Sequence, residues 1–360
     1  MERLADGSPA PRLVEALDVT SESGLKDMTA IDGGILTAGQ NAIFAGPPKA
    51  GKTTMALETA LCLQSGADFL EHPRFKVKRP GRVMFASLEA SRYIVSDTTW
   101  RLLEFHELEE YDISELLFCF DTIKLHDRQT LRWLKDKLKS ECIDYLFIDP
   151  LYLALKATKS SSLFSMGQRL LPLNQICSET ETTVIVLTHT RKNMRGKTGM
   201  DIESMSGAGV TEFARQWMMI DRIEKFDPSD PNGTHKLQVS CGGAHGFGAD
   251  FYLTITEGSY QHHGERWWSP EVEFLEQAKE GQAVEELANA KTAIMKYLEG
   301  IKDGDTKRRI RDGAKLHNAI ASQALTALVD ERKVKECHIH KNGRDYAGFV
   351  LSGLSGEPVV

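Results

Sequence analysis

One octapeptide restricts what this chain can fold into more than any other feature: Gly46-Pro47-Pro48-Lys49-Ala50-Gly51-Lys52-Thr53, the pattern G-x-x-x-x-G-K-T. Before it, Asn41 to Ala45 is a short apolar run that predicts a buried strand. After it, Met55, Ala56, Leu57, Ala60, Leu61 and Leu63 predict a helix beginning near Thr54. Strand, glycine turn and helix together make a phosphate-binding loop, which needs an α/β framework to hold it. Gly46 and Gly51 let the backbone turn tightly and bring N–H groups onto phosphate oxygens. Lys52 adds a point charge, Thr53 offers a hydroxyl to Mg²⁺, and the helix start at Thr54 contributes partial positive charge. ATP and Mg²⁺ are the implied ligands.

The rest of the chain extends that framework. Apolar strands are predicted at 82–87, 117–120, 144–149 and 183–188, with helices at 91–105, 128–139 and 163–180 between them. Strands separated by helices imply a mostly parallel sheet covered on both faces. After Phe213 the pattern changes to successive strands near 217–223, 236–240 and 251–256, joined by Gly, Pro and Asn turns, which predicts an antiparallel extension. The expected divisions are a flexible segment at 1–23, an ATPase domain at 24–268, a glutamate-rich, partly helical linker at 269–289 and a small domain at 290–360. That last part predicts helices at 290–300, 306–316 and 318–333. An Asn-Gly hairpin then joins 334–340 to 345–351. Three helices and a hairpin make a winged helix-turn-helix.

Composition excludes several classes. No apolar run reaches the ~18 residues of a membrane span. The stretch Met1 to Ser23 is acidic and polar rather than a signal peptide, so a cytoplasmic protein is expected. The six cysteines are scattered with no C-x-x-C pair, which favours reduced core thiols over disulfides or a metal site. The net charge of -7 argues against a simple basic nucleic-acid coat. It hides an asymmetry: from Ala288 onward 13 Lys and Arg face 9 Asp and Glu, a net of +4, and the remainder carries -11.

Hydrolysis needs more than a phosphate loop. Asp149 ends the apolar strand Tyr145 to Ile148, where α/β folds place ligands, and is expected to orient Mg²⁺ with Thr53. Glu89 follows the strand Val83 to Ser87. If that strand neighbours the phosphate-loop strand, Glu89 faces the γ-phosphate as a general base; otherwise it is a helix-start glutamate. His189 ends the strand Thr183 to Thr188, as a phosphate sensor or a surface histidine. Arg191, Lys192, Arg195 and Lys197 follow in a glycine-containing loop suited to phosphodiester contact or simply to solvent. Arg215 precedes Trp217, as an arginine finger or a surface arginine.

Read in order, GPPKAGKTT, MFASLEAS, LFIDPL, VLTHTRK and SMSGAGVTEFARQW resemble the RecA-like ATPases, and among them the RepA-type plasmid replicative helicases, relatives of DnaB and KaiC. The resemblance covers roughly residues 25–265. It implies a RecA-like core and a homo-oligomeric, hexameric ring with ATP between neighbours. It assigns Glu89 as catalytic carboxylate, His189 as sensor and Arg215 as a finger acting in trans. The loop 191–205 would line the channel and touch single-stranded DNA. That loop lacks aromatics, so base stacking is not evident.

The winged helix lies outside the minimal helicase and adds duplex DNA binding or protein docking. Asn318, Ser322 and Gln323 would lead the third helix into the major groove. Lys307, Arg308, Arg309 and Arg311 would hold phosphates, with Lys341 and Arg344 on the wing. Two further readings stand beside a ring helicase or translocase. One is a non-translocating, ATP-switched DNA-binding protein. The other is a small-molecule kinase, disfavoured by the lack of an Arg-rich lid.

Overall fold

The computed structural model describes residues 28–156, 163–190, 213–243, 248–341 and 344–352. They form two compact units that meet in sequence between Glu273 and Phe274.

In the first unit, β1 (Thr29–Ile31) and β2 (Leu36–Thr37) pair antiparallel. Then come β3 (Ala42–Gly46), α1 (Lys52–Ser65), β4 (Val83–Ser87), α2 (Arg92–Phe105), β5 (Leu117–Cys119), α3 (Arg128–Ser140) and β6 (Tyr145–Asp149). They are followed by the short α4 (Leu151–Ala154), α5 (Leu163–Thr180), β7 (Thr183–His189), β8 (Gln216–Arg222), β9 (Thr234–Gly243), β10 (Gly248–Gly258), α6 (Tyr260–His263) and β11 (Arg266–Phe274). Among the described residues the strands form a nine-stranded sheet of order β11-β10-β9-β8-β3-β7-β6-β4-β5. Pairing is parallel from β8 through β5 and antiparallel from β8 to β9 and β9 to β10. The expected α/β class and antiparallel extension are therefore present.

Burial on both faces explains the nearly unbroken apolar strands. Every residue of β3, β4 and β6 is buried. Ile43, Ala45, Met84, Ala86, Leu146, Ile148, Val184 and Val186 pack against Leu134 and Leu138 of α3 and Leu170, Leu173 and Ile176 of α5. The alternate residues Phe44, Phe85 and Phe147 meet as rings, Phe85 stacking on Phe147 at 5.5 Å. Asp127 caps α3 by accepting a hydrogen bond from the Thr130 N–H at 2.9 Å. Gln216 anchors the β1–β2 region through its side chain, accepting from Thr37 N at 2.7 Å and donating to Thr37 O at 2.6 Å.

The second unit begins with α7 (Leu275–Glu299); of the stretch 269–289, Ser269 to Phe274 lies in β11 and the rest in that long helix. Glutamate is itself a good helix former, as are the Leu, Ala, Lys and Gln residues around it, so the helix of the apolar C-terminal half extends upstream. It continues with β12 (Asp305–Thr306), α8 (Lys307–Gly313), α9 (Asn318–Asp330), β13 (Val334–Lys341) and β14 (Arg344–Leu351). The strands order as β12-β14-β13. Its core joins Ala290, Ile294 and Leu298 of α7 with Ile310 of α8, Ala324, Leu325 and Leu328 of α9, and Val334 and Leu351 of the hairpin. Gly313 ends α8 against Tyr297, where a Cβ would stand 2.0 Å from the ring. No helix among the described residues is long and apolar enough to cross a membrane.

Candidate functional site

The phosphate loop takes the shape its sequence demands. Gly51 adopts φ +79° and Lys49 φ +62°, so the backbone turns left-handed just before α1 begins. A Cβ on Gly46 would stand 2.5 Å from the carbonyl oxygen of Ile220, so only glycine fits between the loop and β8. Pro48 and Lys49 are exposed, Pro47 and Thr54 half-buried, and Ala50 buried.

Lys52 is buried, and its Nζ donates to the Pro47 carbonyl at 2.8 Å, folding the ammonium back over the loop. Burial pulls its pKa down to about 8, opposed by the charges of Asp149 and Glu89 and assisted by Arg222. The Thr53 hydroxyl donates to Asp149 Oδ2 at 2.6 Å, although 96 residues separate them. Asp149 ends β6, and α1 crosses the strand ends to meet it. Burial holds the Asp149 carboxyl above the usual range, countered by the Thr53 hydrogen bond and by Lys52. A hydroxyl and a carboxylate so paired are a donor set suited to Mg²⁺, an oxygen-seeking ion.

Glu89 requires a correction. Its strand, β4, does not neighbour β3: β7 and β6 lie between them. A parallel sheet allows such crossovers, and adjacency is decided by helix packing rather than chain order. Glu89 still reaches the site. Ser87 pairs with Asp149 across β4 and β6, and Leu88 N donates to Asp149 O at 2.7 Å. The chain beyond β4 is thereby held at the end of β6. Glu89 is exposed there and accepts a hydrogen bond from the Tyr152 hydroxyl at 3.2 Å.

His189 closes β7 beside Gly46, its register partner in β3, and Thr190 N donates to Gly46 O at 3.2 Å. The imidazole is half-buried, and burial followed by Lys52 lowers its pKa, favouring the neutral ring. Its ring centroid lies 6.1 Å from that of Tyr152.

Two neighbours escaped the sequence reading. Tyr152 bridges Glu89 and His189; its place just past Asp149-Pro150 was the available signal. Arg222 closes β8, and its guanidinium donates to the Lys49 carbonyl. No local pattern marked it, because only the β3–β8 pairing brings it to the loop.

Arg215 lies elsewhere. Its N–H donates to Asn41 O at 2.9 Å, at the amino end of β3, and its side chain is exposed. The phosphate loop leaves the carboxyl end of the same strand, so within one chain Arg215 stands across the sheet from Lys52.

The residues expected to touch DNA divide into four groups. Arg191, Lys192, Arg195 and Lys197 lie outside the described residues, as does the segment 1–23. Lys307, Arg308 and Arg309 are exposed on α8, while Arg311 is half-buried and pairs with Asp312 at 2.5 Å. On α9, Gln323 is exposed and Ser322 donates its hydroxyl to Asn318 O at 2.8 Å. Lys341 and Arg344 pair at the hairpin end through their backbones, and their side chains lie outside the described residues.

Residues 11–195 match a family model described as an AAA domain. Among solved structures, one titled "Crystal structure of the RadB recombinase" is 18% identical, covers 61% of this chain and 88% of that chain, and superposes with a TM-score of 0.41. No curated protein matches the chain.

Proposed function

The chain belongs to the AAA domain family, and from that premise we propose that it is a RecA-like, DNA-dependent ATPase that works as a ring: a RepA-like helicase or translocase. One observation carries the reading. Lys52, Thr53, Asp149, Glu89 and His189 gather at the carboxyl ends of the parallel strands, while the exposed Arg215 sits at their amino ends. In this reading a neighbouring subunit brings its Arg215 to the site and completes it.

In this reading the loop from Gly46 to Thr54 cradles the phosphates, and Lys52 meets their charge. Thr53 and Asp149 would hold Mg²⁺, which supplies charge neutralisation across the phosphates. Glu89 orients water and takes its proton as the oxygen attacks the γ-phosphorus and the bond to the β–γ bridging oxygen breaks. Tyr152 holds the Glu89 carboxylate by its hydroxyl and touches the His189 ring, so carboxylate and sensor are linked. Arg215 of a neighbour neutralises charge that builds in the transition state. The loop 191–205, directly after His189, would carry that change to single-stranded DNA.

The second unit supports a related reading. Three helices and a hairpin with exposed Lys307, Arg308 and Arg309 suit a winged helix on duplex DNA, making the chain an ATP-switched DNA-binding protein that does not translocate.

ATPase rates without DNA, with single-stranded DNA and with duplex DNA, run beside sizing chromatography and strand displacement, separate the two. Single-strand stimulation with displacement supports the first reading; nucleotide-dependent duplex binding without displacement supports the second. Mixing Lys52→Ala with Arg215→Ala chains tests the shared site, because each supplies what the other lacks. Activity that does not recover on mixing, or a monomer in every nucleotide state, defeats the ring.

A further inference from the structure

Away from the phosphate loop, helix α1 carries a second cluster. Glu58 and Cys62 stand four residues apart, so they share one helical face, and both are fully buried. His106, just past the end of α2, turns its ring onto that face with its side chain 1% exposed. Glu58 Oε1 lies 2.8 Å from His106 Nε2, Cys62 Sγ 3.6 Å from the same nitrogen, and Cys62 Sγ 3.8 Å from Glu58 Oε1. One ligand atom from each residue therefore falls within 4.8 Å of the others.

We propose that Glu58, Cys62 and His106 bind a zinc-class divalent ion that ties α1 to the end of α2. Tetrahedral coordination, with sulfur about 2.3 Å and nitrogen or oxygen about 2.0–2.2 Å from zinc, puts ligand atoms roughly 3.3–3.6 Å apart. Two of the observed sides, 3.6 and 3.8 Å, are near that size, and the third, 2.8 Å, is the Glu58–His106 hydrogen bond that the ion would replace. A mixed sulfur, nitrogen and oxygen set suits a borderline ion better than Mg²⁺ or Ca²⁺.

A second observation points the same way. Glu58 Oε2 is buried and has no hydrogen-bond partner, whereas Oε1 also accepts from Leu70 N at 3.0 Å. A buried carboxylate oxygen without a donor is costly, and a cation satisfies it. Further out, Glu71 Oε1 stands 3.9 Å from His106 Nδ1. The Asp68 carbonyl lies 3.8 Å from Cys62 Sγ.

The ion would be structural, with Cys62 binding as thiolate and releasing its proton to solvent. Glu58 and Cys62 lie roughly 8 and 14 Å along the helix axis from Thr53, at 1.5 Å per residue. The clamp therefore braces the helix that carries Lys52 and Thr53 without touching nucleotide. It stands independently of the proposed DNA work.

The test uses the full chain. Purified without chelator and dialysed, it should retain about one zinc per chain. After EDTA treatment, added Zn²⁺ should raise Tm reversibly, and added Co²⁺ should give a thiolate charge-transfer band with tetrahedral ligand-field intensity. Cys62→Ser should lose the band. A variant with the three less buried thiols, Cys119, Cys142 and Cys337, changed to serine should keep it, and so should one with Cys177 and Cys241 changed to alanine; together they assign the thiolate to Cys62 even if Cys62→Ser does not fold. A wild-type chain that takes up no Zn²⁺ and shows no Co²⁺–thiolate band overturns the proposal, as does a band that survives Cys62→Ser or vanishes with the three outer thiols. Glu58 and His106 would then be a buried hydrogen-bonded pair with Cys62 beside it.

Discussion

Thr53→Val removes one hydroxyl and keeps the shape of the side chain. In the free protein that hydroxyl donates to Asp149 Oδ2 at 2.6 Å, and Asp149 is only 7% exposed, so water is a poor substitute donor. A hydrogen bond to a charged acceptor contributes about 1.5–3 kcal/mol, against about 0.5–1.5 for a neutral pair. Thr53→Val should therefore destabilise the free protein by about 1.5–3 kcal/mol at neutral pH. Burial already holds the Asp149 carboxyl above its usual range, with the Thr53 donor resisting the shift. A raised folded-state pKa means that the Asp149 contribution to stability falls as pH rises through that pKa. Removing the donor raises the pKa further and steepens the fall. The penalty is thus largest where Asp149 is ionised and shrinks in acid. Urea denaturation at several pH values reads it. In an Asp149→Asn background the same substitution should cost only the neutral-pair amount, and the double-mutant cycle reports the difference. A neutral-pH loss below about 0.5 kcal/mol, or one that is equal in both backgrounds, refutes the reasoning. With Mg²⁺ and ATP, the wild type should gain thermal stability that Thr53→Val largely forgoes.

Glu89→Gln should bind ATP normally while kcat falls about 10²- to 10⁴-fold, the usual loss of a general base; normal turnover would remove Glu89 from the chemistry. Lys52, with a pKa of about 8 in the free protein, should take up protons when phosphates arrive, because added negative charge favours the ammonium. ATP affinity should then be flat below that pH and weaken above it, with uptake visible by calorimetry in buffers of different ionisation enthalpy; release instead of uptake would contradict the burial argument. In the second unit, Leu325→Ala empties a core position that is 1% exposed and should cost about 2–5 kcal/mol, measured by differential scanning calorimetry.

The chain wrote its phosphate loop in one local stretch, and that is why the loop could be read directly. Strand, glycine turn, lysine, threonine and helix all fall within 25 residues, and much of the constraint is short-range: a left-handed φ at Gly51 and an unbroken run of helix-forming, mostly apolar residues on α1. Asp149 was legible for a similar reason, since a strand-ending acid shows in the apolar run before it. Strand order was not. It depends on which helices cover which strands, and that placed β7 and β6 between the phosphate loop and the strand of Glu89. The same long-range pairing brought Arg222 to the loop, set Tyr152 between Glu89 and His189, and carried Arg215 to the far end of the sheet. Cys62 shows the difference most sharply. By spacing it is a solitary core thiol. Only the packing of α1 against the end of α2, 44 residues on, sets it beside an imidazole and a carboxylate with an unsatisfied oxygen. Local chemistry made one site readable; tertiary packing alone decided which distant side chains would meet.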